Sequence, residues 1–181
     1  MPEIYIDDHI KLRPFQKGDE YSISEQANNI KIWNNMQDAM PYPYTLEMGQ
    51  RWVDYNVQED AQQRPEKNFA IEVDKKAVGA IGCMLKKGNE RKCGVIGYWL
   101  GEAFWFKGIM TKCIHIFSHY CFEQYGLIRL EAPVFAFNQG SMRALEKAGF
   151  HKEHVRKFAY IKNDTFADAH VYVMLKPGIE L

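Results

Sequence analysis

The chain has 181 residues, 46% hydrophobic and 25% charged, which is typical of a globular protein with a substantial core. Its 23 Lys and Arg residues balance its 23 Asp and Glu residues, which argues against nucleic acid or an anionic membrane as the main partner. No apolar run reaches bilayer-spanning length, and the N-terminal MPEIYIDDHIK is too polar for a signal peptide. We therefore expect a cytoplasmic protein with one domain over residues 1–181.

The periodicity of apolar residues and the positions of turn residues predict an α+β chain. Residues 38–45 are expected to form a loop, and residues 59–67 an exposed connection. In chain order the predicted elements are a strand over 4–12; helices over 18–29, 30–36 and 45–58; strands over 68–73, 78–86 and 93–100; a helix over 108–124; a strand over 127–135; a helix over 138–148; and a hairpin of 150–161 and 166–175.

One seventeen-residue stretch, VIGYWLGEAFWFKGIMT from Val95 to Thr111, combines an apolar strand, a short acidic turn and a Lys-Gly pair that opens a helix. Unpaired backbone N–H groups converge at a helix N-terminus, where the helix dipole also favours an anion. Such a turn is a weak signal by itself, because many strand-to-helix connections contain a glycine. The stretch therefore predicts a phosphate site only in combination with a second motif.

That second motif is NQGSMRALEKAGF, from Asn138 to Phe150. Asn138 is expected to cap the helix, Gly149 to end it, and Leu145 and Phe150 to lie in the core. The two motifs, in this order and spacing, resemble the GNAT N-acetyltransferases, and within them the RimJ/RimL-like branch. The resemblance implies the GNAT fold: a mixed, mostly antiparallel central sheet of about seven strands, flanked by helices and splayed between the fourth and fifth strands.

The resemblance also implies acetyl-CoA as co-substrate, with its pantetheine arm along the strand over 93–100 and its pyrophosphate on the turn that follows. Phe106 stands where the family usually has Gly, so we expect its backbone N–H to serve the phosphates if its φ is negative. A positive φ would strain it. The implied coenzyme contacts are Tyr98, Trp99, Leu100, Trp105, Phe106, Lys107, Gly108, Ile109, Met110, Thr111, Asn138 and Ser141.

The implied reaction is transfer of an acetyl group to a neutral amine. Ser141 aligns with a position that protonates the leaving thiolate, and the Leu100 backbone N–H is the candidate donor to the oxyanion. The group that takes the proton of the amine stays open between Tyr160 and Glu131. Asp168 matches an acidic residue common in the last strand of this branch and is given a structural or acceptor-positioning role.

The acceptor is expected to be a protein N-terminus or a small amine such as a polyamine or an aminoglycoside. Trp33, Tyr42, Tyr44 and Trp52 lie where the family builds the wall of the acceptor pocket, although core packing also explains Trp52. Balanced charge slightly disfavours a polycation. A non-catalytic acyl-CoA-binding module is the alternative from another class, and the protein is expected to be a monomer or a homodimer.

Metal binding is not expected. His115 and His119 have the i, i+4 spacing of zinc helices, but Ile116 stands where that motif has Glu, so a solvated helix face is the preferred interpretation. The four cysteines, Cys83, Cys93, Cys113 and Cys121, have no metal-ligand spacing and are expected to be reduced thiols.

Overall fold

The computed structural model describes residues 2–58 and 63–178 and confirms the α+β prediction. Residues 59–62 of the predicted exposed connection lie outside the described part. In chain order the elements are β1 (Ile4–Tyr5), β2 (Ile10–Arg13), α1 (Asp19–Ala27), α2 (Ile30–Trp33), α3 (Leu46–Val57), β3 (Glu66–Val73), β4 (Lys76–Leu85), β5 (Cys93–Leu100), α4 (Ile109–Gln124), β6 (Arg129–Phe135), α5 (Gln139–Ala148), β7 (His151–Lys162) and β8 (Thr165–Leu175).

The strands form one mixed sheet in the order β1-β2-β3-β4-β5-β6-β8-β7. The strand β5 pairs with β6 in parallel, with a register of three residue pairs from Cys93–Arg129 to Val95–Glu131. The strand β6 pairs with β8 over seven residues, and β7 pairs with β8 alone. The GNAT-type sheet is thus confirmed, with eight strands in place of about seven.

The additional strand arises because the predicted first strand is divided into β1 and β2. The Asp7 carboxylate accepts hydrogen bonds from the backbone N–H groups of His9 and Ile10, and the N–H of Ile6 bonds back to the Ile10 carbonyl. A carboxylate that bonds its own backbone two or three residues ahead stabilises a turn. One continuous strand over residues 4–12 was therefore wrong.

The chain divides into two compact units, the first made of Met1–Gly82 and Tyr98–Ile109. Its apolar core forms around Phe15, Ile23 and Val53, with Trp52 and Val57 of α3 packed against it. Thr45 caps α3 as predicted, because its hydroxyl accepts the Met48 N–H.

The second unit consists of Cys83–Gly97 and Met110–Leu181. Within this unit, the predicted apolar stripe of α4 is buried at Cys113, Phe117 and Cys121. Leu145 and Phe150 are buried as predicted, and all four cysteines are free thiols. That residues 1–181 form a single domain stays a prediction.

Candidate active site

The end of β5 is held by two hydrogen bonds on one peptide unit. The Gly101 N–H donates to the Val78 carbonyl at 2.8 Å, and the Trp105 indole Nε1–H donates to the Leu100 carbonyl at 2.7 Å. Both polar groups of the Leu100–Gly101 peptide are therefore engaged. Sequence analysis assigned Trp105 to coenzyme contact and missed this bond, because a five-residue separation across a turn has no characteristic pattern.

The turn that follows contains two residues with left-handed backbone, Phe106 with φ 62° and Gly108 with φ 73°. A Cβ at Gly108 would meet nothing within 4 Å, so the backbone is open there. The Phe106 side chain is 99% exposed. Sequence analysis left the sign of φ at Phe106 open, and the positive value is the strained case for a residue with a Cβ.

The helix α4 begins directly after this turn, at Ile109, which is buried, while Met110 and Thr111 are half-buried. The first backbone N–H groups of a helix have no partner within the helix, and the dipole is positive at that end. Lys107 is exposed beside them and adds a cation. The donors, the cation and the open backbone at Gly108 fit a diphosphate.

The strand β5 approaches this turn with Tyr98 and Trp99 half-buried and Leu100 buried. A Cβ built at Gly97 would meet nothing within 4 Å, so the backbone is accessible at that point as well. These features fit an extended ligand that bonds along the strand, which is the arrangement implied for the pantetheine arm.

The helix α5 begins as predicted. The Asn138 side-chain oxygen accepts the Ser141 N–H at 3.1 Å, and Gly149 ends the helix with φ 102°. The cap involves the backbone N–H of Ser141, so the cap does not depend on the Ser141 hydroxyl. Asn138 as a coenzyme contact and Ser141 as a proton donor both stay predictions.

Glu131 lies in a chain of ion pairs that joins β6 to β7 and to Lys86, the residue after β4. Its carboxylate accepts from Lys86 at 3.1 Å and from Arg129 at 2.8 Å, and Arg129 also bonds Glu153 through two nitrogens. Burial opposes ionisation of Glu131, but the hydrogen bonds from Arg129 and Lys86 outweigh it, so the pKa of this carboxyl is lowered. These contacts favour a structural role over that of a base.

Tyr160, the other candidate, packs its ring against Phe135 at a centroid distance of 4.7 Å. It lies at the end of an irregularity in β7, where the register with β8 shifts between Arg156 and Tyr160. An aromatic pair of this kind is stabilising in itself. The assignment of the proton acceptor to either residue stays a prediction.

Asp168 stabilises that irregularity. Its carboxylate accepts the Phe158 N–H at 2.9 Å and the Lys157 ammonium at 2.8 Å. The hydrogen bond from Lys157, followed by that from the Phe158 backbone, lowers the pKa of Asp168. Phe158 itself has φ 50°, so Asp168 bonds a residue in strained conformation. These contacts support the structural alternative for Asp168.

The aromatic residues assigned to the acceptor wall divide into two groups in the first unit. Tyr44 is buried in the core, where burial raises its pKa to about 12, and Trp52 packs against the same core. Trp33 and Tyr42 form a separate pair with ring centroids 5.8 Å apart. Core packing of Trp52 is confirmed, whereas acceptor contacts of Trp33 and Tyr44 stay predictions.

Sequence analysis missed a polar cluster on the connection after β5. The Glu102 carboxylate accepts from the Asn29 amide at 2.7 Å and from the Lys31 ammonium. The hydrogen bonds from Lys31 and Asn29 lower the pKa of Glu102. More than seventy residues separate the partners, so sequence spacing carries no signal for this contact.

The histidine pair on α4 has ring centroids 4.8 Å apart, with His115 exposed and His119 half-buried. Within residues 2–58 and 63–178, no three His, Cys, Asp or Glu side chains come together in a way that could hold a metal ion. In the same ranges, no helix is both long and apolar enough to span a bilayer.

Comparison with known sequences identifies relatives along nearly the whole chain. Residues 9–151 match the profile described as acetyltransferase (GNAT) domain. The Bacillus subtilis (strain 168) protein named Probable N-acetyltransferase YjcK is 32% identical over 174 residues, which cover 94% of this chain and 96% of that protein. The SPbeta prophage-derived uncharacterized N-acetyltransferase YokL of the same strain is 29% identical over 155 residues, covering 83% and 82% respectively.

Solved structures share the fold at lower identity. Mycobacterium smegmatis RimJ, in complex with CoA-disulfide, has a TM-score of 0.84 at 20% identity and covers 100% of this chain and 88% of its own. MccE, a microcin self-immunity acetyltransferase in complex with acetyl-CoA and AMP, has a TM-score of 0.85 at 21% identity, covering 97% and 98%. RimL, a ribosomal alpha-N-protein acetyltransferase with coenzyme A, has a TM-score of 0.84 at 20% identity, covering 96% and 98%. The chain thus belongs to the GNAT family of acetyltransferases and has the fold of its RimJ/RimL-like branch.

Proposed function

We propose that this acyltransferase acetylates the α-amino group of a protein N-terminus, with acetyl-CoA as co-substrate and the turn from Trp105 to Thr111 as the diphosphate site. The observation that carries the coenzyme site is the open, left-handed backbone at Gly108 directly before α4. The acceptor class is supported by the fold shared with RimL, which is described as a ribosomal alpha-N-protein acetyltransferase.

Acetyl-CoA supplies an activated thioester, and the residues of this chain position it and handle charge. Backbone groups of β5 at Tyr98, Trp99 and Leu100 hold the pantetheine arm, while Lys107 and the first N–H groups of α4 hold the diphosphate. The bond from Trp105 to the Leu100 carbonyl fixes the strand end whose N–H is proposed as oxyanion donor.

Proton transfer in this proposal involves two sites. Ser141 passes a proton to the leaving sulfur and regains one from water, and the amine gives its proton to Tyr160 as phenolate or to a water that the Tyr160 hydroxyl orients. Glu131 is the weaker candidate, because its carboxylate already accepts from Lys86 and Arg129. A strong base is not required for an α-amino group, whose pKa is near 8.

Balanced charge over the chain slightly disfavours a polycation, and three carboxylates of the first unit already have cationic partners. The carboxylates of Glu47, Asp54 and Glu102 are each paired with Arg51, Lys17 and Lys31 respectively. A polyamine or an aminoglycoside would have to compete with these cations for each carboxylate.

Thiol release from acetyl-CoA with a panel of amines tests the proposal. The panel contains peptides with free N-terminal Ser or Ala, the same peptides with a blocked N-terminus and an internal Lys, spermidine and an aminoglycoside. We expect release with the free peptides and background rates with the blocked ones. Thiol release with the small amines and not with the peptides would show that the protein acetylates small amines. If no amine raises the rate while coenzyme binds, the protein is a non-catalytic binding module.

A further inference from the structure

The turn before α4 projects one large apolar side chain fully into solvent. Phe106 is 99% exposed, more than any other large hydrophobic residue in the described part of the chain. Aromatic residues stabilise a fold by burying the apolar surface of their rings, and an exposed ring buries none of that surface. The left-handed backbone adds strain, so folding of the free protein gains nothing from a phenylalanine at this position.

The ring is nonetheless held in a defined place. It meets the Trp105 ring in a T-shaped arrangement, with centroids 6.5 Å apart and planes at 87°. Trp105 is in turn fixed by its hydrogen bond to the Leu100 carbonyl. Trp105 therefore supports the ring of Phe106, which at 99% exposure stays almost entirely open to a ligand.

From these observations we infer that Phe106 stacks on the adenine of the coenzyme, an inference that rests on the diphosphate site of the proposed function. In coenzyme A the diphosphate joins the pantetheine arm to the adenosine 3′-phosphate. A diphosphate held beside Gly108 therefore brings the base and an additional phosphate to the exposed side chains of the same turn. Phe106 offers a π-face, which matches the adenine base at that end of the molecule.

The consequence is a specificity for the adenosine portion that the backbone donors alone do not provide. Backbone N–H groups at the helix start bind any phosphate ester, including phosphopantetheine without adenosine. A stacked base adds affinity only for the complete coenzyme.

Calorimetric titration of the full chain with coenzyme A and with phosphopantetheine, in the absence of an acceptor, tests this. The variant Phe106→Asn removes the ring but keeps a residue that tolerates left-handed backbone. The variant Phe106→Tyr keeps the ring. We expect Phe106→Asn to weaken coenzyme A binding about fivefold to a hundredfold and to leave phosphopantetheine binding within about twofold of wild type. Phe106→Tyr should bind both ligands like wild type.

Two results would overturn the inference: an unchanged affinity of Phe106→Asn for coenzyme A, or an equal loss for both ligands, which would assign the effect to the turn backbone. Failure of the wild type to bind coenzyme A at all would instead contradict the proposed function, so the two failures are distinguishable.

Discussion

Two phenylalanines in this chain share a left-handed backbone, Phe106 before α4 and Phe158 in β7, and their surroundings differ. The N–H of Phe158 is bonded by the Asp168 carboxylate, and its ring, 74% exposed, lies edge-on to Phe166 at 6.0 Å. Within residues 2–58 and 63–178, no comparable acceptor bonds the N–H of Phe106. The strain at Phe158 is thus balanced by the protein itself, whereas the strain at Phe106 has no such compensation.

The comparison separates groups whose interactions are complete in the free protein from groups whose interactions await a substrate. Backbone strain persists where surrounding structure enforces it, and uncompensated strain is concentrated at binding sites. Asp168 and Glu131 belong to the first class, because both carboxylates are already bonded to cations. In the proposed coenzyme site, Phe106 and the backbone beside Gly108 belong to the second.

The largest expected effect concerns Ser141, whose backbone serves the helix cap and whose hydroxyl is assigned to the substrate. Ser141→Ala should lower turnover about a hundredfold, the usual size of a general-acid contribution. Coenzyme affinity should change little, because the Asn138 bond to the backbone N–H of residue 141 survives the substitution. Steady-state kinetics and calorimetry measure the two quantities, with Arg143→Ala on the same helix as the control. A loss confined to coenzyme affinity would make Ser141 a binding residue.

A smaller effect is expected from Trp105→Phe, which deletes the indole N–H but keeps an aromatic ring. One neutral hydrogen bond contributes about 1 kcal/mol, so kcat should fall roughly fivefold as the strand end at Leu100 becomes less well positioned. The coenzyme dissociation constant is measured alongside. A rise in that constant with kcat unchanged would mean that Trp105 acts on binding alone.

Stability of the free protein tests the comparison directly through Phe106→Asn and Phe158→Asn. Asparagine tolerates left-handed backbone, so Phe106→Asn should raise the free energy of unfolding by about 1 kcal/mol, a rise in Tm of about 2–4 °C. Phe158→Asn should show no gain, because losing the contact with Phe166 offsets the relief of strain. Thermal unfolding without ligand measures both. Equal gains for the two variants would remove the distinction between the sites.

The smallest effect is the pH dependence of the Asp168 contacts. The lowered pKa of Asp168 means that its contribution to stability is present above the unfolded-state pKa of about 4 and is lost as pH falls through the folded-state pKa. Asp168→Asn should therefore be less stable than wild type at neutral pH, and the gap should narrow as pH falls below about 4. Urea unfolding at neutral pH and at a series of lower pH values measures the gap, and a gap that stays constant in acid would exclude the ionised carboxylate as its source.

Local signals predicted much of this structure. Thr45 and Asn138 cap their helices, and Gly149 ends α5, because caps depend on residues a few positions apart. The order of the elements followed from periodicity. The prediction of a single first strand was wrong, because the Asp7 side chain forms a turn with the backbone that follows it. Such a turn competes with strand pairing in a way that apolar alternation does not reveal.

The candidate site was less accessible to sequence reasoning. The sequence identified Phe106 and Gly108 as turn residues, but only the structure shows that φ at Phe106 is positive. The ion pair of Glu131 with Lys86 joins residues 45 positions apart, and that of Glu102 with Lys31 joins residues 71 apart, so neither was visible as a spacing. Sequence reasoning could therefore name a carboxylate as a candidate base without detecting the cations that already bind it.

The most direct test of the account is the rise in Tm that acetyl-CoA produces, compared in Gly108→Val and Gly88→Val. Both glycines have positive φ and open space at the Cβ, so the two substitutions strain the free protein in a similar way. Only Gly108 lies in the proposed diphosphate site. The account predicts that the ligand-induced rise is retained in Gly88→Val and abolished in Gly108→Val, because a ligand stabilises only the folded state that binds it. A full rise in folded Gly108→Val would contradict the assignment of the coenzyme site to this turn.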